Sequence, residues 1–366
     1  MVCNLRLITM NHYNSAMNKF LFIIIIIMFS TASSQTYWVK YGWEVFKSAG
    51  DARILSLGGS AVTDYGTSVS PLFNPASSNY VGLHNFNYTH QSRLAGMINS
   101  DLIGFPIKGY SRPLNLILMH EGIDHIPDTR NILLDFGYDG VPGTGDIGEG
   151  NGLLDEGERL DENKIKYFSQ RQFGFHLSTA WKKKGLTYGI ALKGLNHSLG
   201  EYSAFGVGLD FGILAVPWNN GHIGLTIQDI STSWLVWDSG TVERFKPTII
   251  SGISHTYVFK DFPISLNGMA NFIWELSGKS LDDDLNFGNH GGKLLLGVNI
   301  IYNQMVAIRV GRNKLGSITA GVGLIWKNIS LDYAFLNEPA DSGLGATHLI
   351  SLSANSEWIF SYIRNI

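Results

Sequence analysis

Apolar and polar residues alternate with a period of two along most of the chain, from about residue 85 to the C-terminus. In the stretch from Phe173 to Trp181, nearly every odd position is apolar and the positions between hold Gly, His, Ser and Ala. Successive side chains of a β-strand point to opposite faces of the sheet, so each such stretch predicts a strand with one apolar and one polar face.

The pattern predicts fourteen strands, an even number as a single-chain bacterial barrel requires. They are expected at residues 84–93, 95–106, 113–122, 167–182, 186–198, 203–216, 222–230, 247–258, 263–276, 292–302, 305–312, 317–326, 329–337 and 346–354. Alternation by itself leaves two folds open. A soluble sandwich turns its apolar face inward, whereas an outer-membrane barrel turns that face to lipid and keeps a polar lumen.

The start of the chain favours the barrel. A basic Met17-Asn-Lys19 precedes an apolar stretch from Phe20 to Phe29 and then small residues. This order predicts a secretory signal peptide over residues 1–34, cleaved near Gln35, with Met17 as a candidate true start. A membrane anchor is the alternative, but about ten apolar residues are half of what a spanning helix needs.

Composition agrees with an exported barrel and narrows the function. The chain is 45% hydrophobic and 16% charged, and it contains 42 glycines. It has no basic run that would bind a nucleic acid backbone. It also lacks GxSxG, HExxH and P-loop motifs, so we expect a protein that is not an enzyme. The predicted fold is all-β, a transmembrane outer-membrane β-barrel over residues 84–366.

Residues 35–83 come before the first predicted strand and do not alternate. They contain Gly50-Asp-Ala-Arg-Ile-Leu-Ser-Leu-Gly-Gly-Ser-Ala-Val-Thr-Asp64 and then Asn74-Pro75-Ala76. Gly58-Gly59 permits a turn with positive φ, and Asn74-Pro75 favours another turn. Physical reasoning therefore predicts a compact segment that lies outside the barrel or plugs its lumen.

These residues resemble the beginning of FadL-like outer-membrane barrels, and most closely their PorV/PorQ branch. The resemblance implies a fourteen-stranded barrel whose N-terminal segment forms a hatch in the lumen. The residues that carry the match, and that the resemblance would place in this hatch, are Arg53, Gly58, Gly59, Asp64, Asn74, Pro75 and Ala76. PorV-type relatives work with type IX secretion machinery and exported proteins, whereas FadL relatives pass hydrophobic small molecules.

An acidic, Gly/Asp-rich insertion at residues 123–166 separates the third and fourth predicted strands. Between Asp124 and Glu162 there are eleven acidic residues and two arginines, a net charge of −9. Two imperfect EF-hand-like spacings predict a Ca²⁺ site. Its candidate ligands are Asp135, Asp139, Asp146, Glu149, Asn151, Asp155 and Glu158. The alternative is a solvated acidic loop that binds no metal.

Three functional hypotheses follow for this barrel in outer-membrane lipid. It works with secretion machinery or secreted proteins, it is a passive channel for hydrophobic molecules, or it is a structural surface barrel with a calcium-stabilised loop. The polar positions of the strands are mainly Gly, Ser, Thr, Asp and Lys, which predicts a polar lumen. We therefore expect the secretion-associated role ahead of the channel.

Overall fold

The computed structural model describes residues 36–38, 42–107, 111–230, 232–276, 283–288, 290–337 and 345–358. The predicted signal peptide lies outside the described residues. Two short helices precede the barrel, α1 (Glu44–Ser48) and α2 (Ala52–Leu55). Four 3₁₀ turns occupy Ser70–Leu72, Pro75–Asn79, Leu94–Gly96 and Glu162–Lys164. Among the described residues, no helix is both long enough and apolar enough to cross a membrane.

Fourteen antiparallel strands form a closed barrel, which confirms the predicted fold. They are β2 (Asn85–Arg93), β3 (Ile98–Ile107), β4 (Leu114–Asp128), β7 (Lys166–Lys183), β8 (Leu186–Leu199), β9 (Tyr202–Trp218), β10 (Gly221–Gln228), β13 (Thr248–Val258), β14 (Ile264–Glu275), β16 (His290–Tyr302), β17 (Val306–Arg312), β18 (Ile318–Trp326), β19 (Ile329–Leu336) and β20 (Thr347–Asn355). Each strand pairs with the next in this order, and β20 pairs with β2 to close the wall.

Six short strands lie beside or between these: β1 (Thr36–Trp38), β5 (Leu133–Leu134), β6 (Arg159–Leu160), β11 (Ser233–Trp237), β12 (Val242–Phe245) and β15 (Leu285–Phe287). Both β10 and β11 pair with β9, β10 along one half of it and β11 along the other. Strand β11 therefore extends the line of β10 along the wall after an interruption that follows Gln228. Asp229 and Thr232 have positive φ values of 57° and 123° there. Strand β1 pairs in parallel with β12.

Most strands begin and end within three residues of the prediction, and two differences are larger. Strand β4 runs to Asp128, six residues past its expected end, because a bulge between Ile123 and Ile126 absorbs a register shift. The β11–β12 hairpin occupies a stretch that we expected to be a connection. Both differences arise from pairing with a neighbouring strand, which local alternation does not reveal.

The connections identify the two ends of the barrel. Turns at one end are short, such as Lys184–Gly185, Asn219–Asn220 and Lys327–Asn328, while the other end carries the loop of residues 129–165. Outer-membrane barrels have short periplasmic turns and longer extracellular loops. The 129–165 end is therefore the extracellular end, and the chain enters β2 and leaves β20 at the periplasmic end.

The two faces of the wall have opposite polarity. Outward positions are apolar and exposed, including Phe173, Ile190, Leu209, Val322 and Ile350. The inward positions of the same strands are buried and largely polar or small, as in Gln172, Gly174, His176 and Ser178 of β7. Lipid therefore faces the apolar side of the alternation.

Tryptophans lie near both ends of the wall, as expected for an interfacial girdle. Trp181, Trp218 and Trp326 are close to the periplasmic ends of their strands, and Trp274 is close to the extracellular end of β14.

Candidate functional site

The described residues 42–83, called the hatch below, pack inside the barrel against inward-facing wall residues. All seven residues of the predicted motif belong to this segment. The Ala52 N–H donates to Ser351 Oγ of β20 at 2.7 Å, and Thr319 Oγ of β18 donates to the Ser56 carbonyl at 2.9 Å. Because these bonds join the hatch to two strands of the wall, the hatch is held in the lumen by hydrogen bonds as well as by apolar contacts.

Arg53 and Asp64 form a buried ion pair in the hatch. The Arg53 guanidinium donates two hydrogen bonds to the Asp64 carboxylate, one of them at 2.9 Å. Ser70 Oγ donates to the same carboxylate at 2.7 Å. The two charged side chains are only 17% and 6% exposed. The pair joins α2 to the segment before the first 3₁₀ turn.

Asp51 caps the N-terminus of α2. Its carboxylate accepts the Ile54 N–H at 2.7 Å and the Thr67 hydroxyl at 3.0 Å. An aspartate at this position satisfies a backbone donor that the first helical turn leaves free. The sequence analysis did not single out Asp51, although an aspartate just before a short apolar stretch is a typical N-cap signal.

The predicted glycine turn lies directly against the barrel wall. Gly58 and Gly59 have φ values of +70° and +74°, which favour glycine. A Cβ added at Gly58 would overlap the Arg312 backbone, and a Cβ added at Gly311 of β17 would overlap the backbone of Leu57 and Gly58. Glycines on both sides of the contact therefore let two backbones touch.

The Asn74-Pro75-Ala76 turn also brings hatch backbone against a wall glycine, nearer the periplasmic end of the lumen. Asn74 Oδ1 accepts the Ala76 N–H at 3.0 Å, and Asn74 Nδ2 donates to the Ile213 carbonyl of β9 at 3.1 Å. A Cβ at Gly189 of β8 would overlap the backbone of Pro75 and Ala76. Inward-facing glycines of the alternating strands thus serve as contact points for the hatch.

A second buried charge cluster joins the wall to α1. Lys193 Nζ of β8 lies 2.9 Å from Asp210 Oδ1 and 2.5 Å from Asp229 Oδ1. The same ammonium lies 5.7 Å and 5.5 Å from the ring centres of Trp43 and Phe46, within the range of a cation–π contact. Asp229 lies at the interruption between β10 and β11, so this cluster links the hatch to the irregular part of the wall.

His176 of β7 faces the lumen. It is fully buried, and its Nε2 lies 3.8 Å from Asp210 Oδ2. The sequence analysis missed Lys193, Asp210 and Asp229. Lys193 and Asp210 could have been found from the sequence, because each is a charged residue at an inward position of an alternating strand.

The lumen is largely polar, as predicted, but it also holds an apolar cluster that the sequence analysis missed. Eleven buried residues form an apolar lumen cluster, made by the hatch and the inward face of the wall: Trp43, Val45, Val69, Leu72, Leu102, Ile117, Met119, Leu195, Ala204, Leu235 and Phe245. Partly buried Phe46, Ala49, Phe73 and Trp237 pack against it. Seven of the eleven belong to the wall strands or to the β11–β12 hairpin, and each strand contributes only one or two of them. No single strand therefore departs far from alternation.

The candidate calcium residues all lie in the extracellular loop, where their carboxylates accept backbone N–H groups, mostly of glycines. Asp135 accepts from Gly150 and Gly152 at 2.8 and 2.7 Å. The Gly152 N–H, with that of Gly150, holds the pKa of Asp135 below its ordinary value. The same pattern extends to Glu149, which accepts from Gly143 and Gly145.

The remaining candidate ligands are also engaged within the loop. Glu158 accepts the Gly137 and Asp155 N–H groups, both at 2.9 Å. Asp146 accepts the Asp139 N–H at 2.7 Å, and Asn151 Nδ2 donates to Asp155 at 2.6 Å. Across the described parts of the chain, no group of three or more His, Cys, Asp or Glu residues is placed to hold a metal ion. Calcium binding stays a prediction.

Limited trypsin digestion tests the calcium prediction. The loop contains Arg130 and Arg159, which trypsin can cleave. If the loop binds Ca²⁺, millimolar Ca²⁺ will slow cleavage relative to chelator, and Asp146→Asn will remove that protection. The protein itself with Ca²⁺ and with chelator provides the paired control, and equal cleavage rates in the two conditions would contradict a calcium site.

Comparisons with known proteins support the fold. No protein-family model and no curated protein matches the chain. The solved structure of the Pseudomonas putida toluene transporter TodX is similar with a TM-score of 0.51 and 11% identity, covering 88% of this chain and 100% of TodX. The monoaromatic hydrocarbon channel CymD has a TM-score of 0.50 and 11% identity over 83% of this chain and 97% of CymD.

A Pseudomonas aeruginosa FadL homologue also matches, with a TM-score of 0.38 and 12% identity over 82% of this chain and 96% of that chain. At these identities the likeness to TodX and CymD establishes the fold alone. This likeness, the apolar outward face of the wall, and the short turns at one end with a long loop at the other identify the protein as a bacterial outer-membrane β-barrel.

Proposed function

We propose that the protein is a passive channel for hydrophobic small molecules, with the hatch closing its lumen. The observation that carries this proposal is the apolar lumen cluster. A pore for polar solutes would be lined by polar side chains. This lumen instead has inward-facing Ile117, Met119, Leu195 and Leu235, which are at most 4% exposed. Binding of an apolar molecule among such side chains is favoured by about 25 cal/mol of free energy for each Å² of its surface removed from water.

The hatch itself supplies side chains that a ligand would replace. Trp43 and Phe46 lie against the wall part of the cluster, with ring centres 5.1 Å apart, and Trp43 packs edge-on against Phe245 at 5.4 Å. The cluster lies toward the extracellular half of the lumen, because Ala204, Leu235 and Phe245 belong to strand ends near the long loops. A hydrophobic molecule that enters from outside meets this cluster first and competes with the aromatic rings of Trp43 and Phe46.

The similar solved structures point the same way. TodX is described as a toluene transporter and CymD as a monoaromatic hydrocarbon channel. None of the comparisons supports a secretion role, although the resemblance to PorV/PorQ suggested one. The channel is therefore the better supported of the three hypotheses.

Gentle detergent extraction followed by mass spectrometry of everything that co-purifies tests the proposal. We expect apolar small molecules bound to the barrel and no stoichiometric protein partner. Stoichiometric exported proteins or secretion components would instead overturn the channel and support the secretion role. Finding neither class of molecule would leave a structural barrel.

A polar substitution in the cluster should release the bound molecules. Leu195→Gln puts an amide into the apolar lumen cluster, which costs about 1–3 kcal/mol if its polar atoms stay unpaired. We expect the amount of co-purified apolar molecule to fall roughly tenfold, since 1.4 kcal/mol is a factor of ten. Leu349→Gln is the matched control, because Leu349 is equally buried in the lumen but belongs to a second cluster with Ala52 and Ala334. An equal loss in both variants would contradict a specific role for the cluster.

A further inference from the structure

A polar site lies on the outward face of the barrel, where β2, β3, β4 and β7 run side by side. The direction of its side chains follows from their neighbours. Ser100 of β3 and Ser48 of the hatch both donate to Glu121 of β4, each at 3.2 Å, so Ser100 and Glu121 face the lumen. Asp101 and His120, adjacent to them in sequence, therefore face lipid.

A cavity of about 300 Å³ opens at this place near the extracellular end. The polar residues that line it, called the outer polar site below, are Asn99, Asp101, His120, Asp124, His125 and Arg171. Two irregularities create the space. The turn between β2 and β3 has positive φ at Leu94, Ala95 and Gly96, and β4 bulges at His125, whose φ is 55°.

Hydrogen bonds hold the acidic groups of the site in place. Asp101 Oδ1 accepts from the Tyr88 hydroxyl at 2.8 Å and contacts His90 Nδ1 at 3.0 Å. Arg171 donates to Asp124 at 2.5 Å. A Cβ at Gly122 would approach the Arg171 guanidinium to 3.1 Å, so glycine leaves room for it there. A site fixed in this way loses little conformational entropy when it binds.

The charges of the site decide the class of ligand. Arg171 is the one Lys or Arg side chain among the lining residues, and it is already paired with Asp124. A phosphate group would therefore find no free guanidinium or ammonium group and would meet the carboxylates of Asp101 and Asp124. Hydroxyl groups both donate and accept hydrogen bonds, so they match carboxylates, imidazoles, an amide and a guanidinium together. The Phe173 ring, 4.6 Å from the His120 ring, adds a flat surface for a sugar face.

The outward surface on the periplasmic side of the site is apolar. Leu118, two residues from His120 toward the periplasmic end, is 43% exposed, and it pairs with Phe175 of β7. A molecule that fills the cavity with hydroxyl groups and continues along this surface with hydrocarbon is a lipid whose headgroup is a sugar. Because the cavity lies near the extracellular end, such a lipid belongs to the outer leaflet.

We propose that the outer polar site binds the sugar headgroup of an outer-leaflet glycolipid, whose acyl chains lie against Leu118 and Phe175. This inference does not depend on the proposed channel, since the site is on the opposite face of the wall from the lumen cluster. A barrel with no transport activity would still bind the glycolipid.

The test measures binding of a neutral glycolipid, a diglycosyl diacylglycerol, to the detergent-purified full chain by native mass spectrometry. We expect a retained glycolipid, and at least tenfold weaker binding in the Asp101→Leu/His120→Leu double variant. Both substitutions make a lipid-facing surface more apolar, so the barrel should fold. Asp101→Asn, which preserves size, is a second variant for which weaker binding is expected. His348→Leu is the matched control, because His348 also faces outward but does not line the cavity.

Three competitors identify what is recognised. The free headgroup oligosaccharide should compete weakly, because it lacks the acyl chains, and inorganic phosphate and a sugar-free phospholipid should not compete. Competition by phosphate or by the phospholipid would overturn recognition of the sugar. If the free oligosaccharide competed as strongly as the glycolipid, the proposed contribution of the acyl chains to binding would be wrong. Equal glycolipid binding by the double variant would overturn the site itself.

Discussion

Replacing Arg53 by methionine will free the hatch from its folded state inside the lumen. The change leaves the Asp64 carboxylate buried without the guanidinium that now donates two hydrogen bonds to it. Breaking a buried ion pair in this way costs about 3–5 kcal/mol. Hydrogen exchange of the hatch amides, such as that of Ile54, should accelerate at least a hundredfold, since about 1.4 kcal/mol is a factor of ten.

The matched control is Arg130→Met. Arg130 also donates two hydrogen bonds from its guanidinium to an aspartate, Asp128, but its side chain is 75% exposed. Exposed pairs contribute about 0–1 kcal/mol, so this variant should leave hatch exchange unchanged. Unaltered hatch exchange in Arg53→Met would show that the ion pair does not hold the hatch.

Replacing Gly311 by valine will prevent the hatch from seating against β17 and will open a conducting pore. The new Cβ would overlap the backbone of Leu57 and Gly58, and a backbone cannot rotate away as a side chain can. Overpacking of a tight contact costs about 1–3 kcal/mol and occasionally more. In planar bilayers we expect a low ion conductance for the wild-type barrel and a several-fold higher conductance for Gly311→Val.

Gly268→Val is the control for this substitution. Gly268 also lies in a barrel strand, but a Cβ there meets no atom within 4 Å. It should therefore conduct like the wild type. Gly189→Val, at the contact with Pro75 and Ala76, should behave like Gly311→Val because it blocks the other end of the hatch. Equal conductance in all four proteins would contradict a hatch that closes the lumen.

The fold was predictable because its signal is local. Each barrel strand carries its own period of two, and the turns between many strands contain Gly or Asn, so fourteen strands could be counted without knowing their partners. Strand ends were less predictable. The extension of β4 to Asp128 and the β11–β12 hairpin depend on pairing with β7 and β9, which are distant in sequence.

The site was predictable only in part. The hatch motif was found by resemblance, but its contacts were not, because the glycines opposite it, such as Gly189 and Gly311, look like ordinary small residues of alternating strands. The apolar lumen cluster was missed because its wall residues come one or two at a time from separate strands. Leu195 and Leu235 meet in the lumen only after the barrel has closed.

The outer polar site left a signal that the sequence analysis did not use. His90, Asp101 and His120 occupy positions of their strands that alternation assigns to the lipid side. A polar residue at such a position is a departure from the pattern, and three of them on adjacent strands mark one patch of the outer surface.

Uptake of a radiolabelled hydrocarbon of low mass by intact cells that carry the barrel in an asymmetric outer membrane tests the proposed channel most directly. Cells with the wild-type barrel should take up the hydrocarbon several-fold faster than cells with Leu195→Gln or without the barrel. Uptake of a sugar of similar mass should be the same in all three. Equal hydrocarbon uptake in the three strains, or faster entry of the sugar through the wild-type barrel, would contradict a channel for hydrophobic molecules.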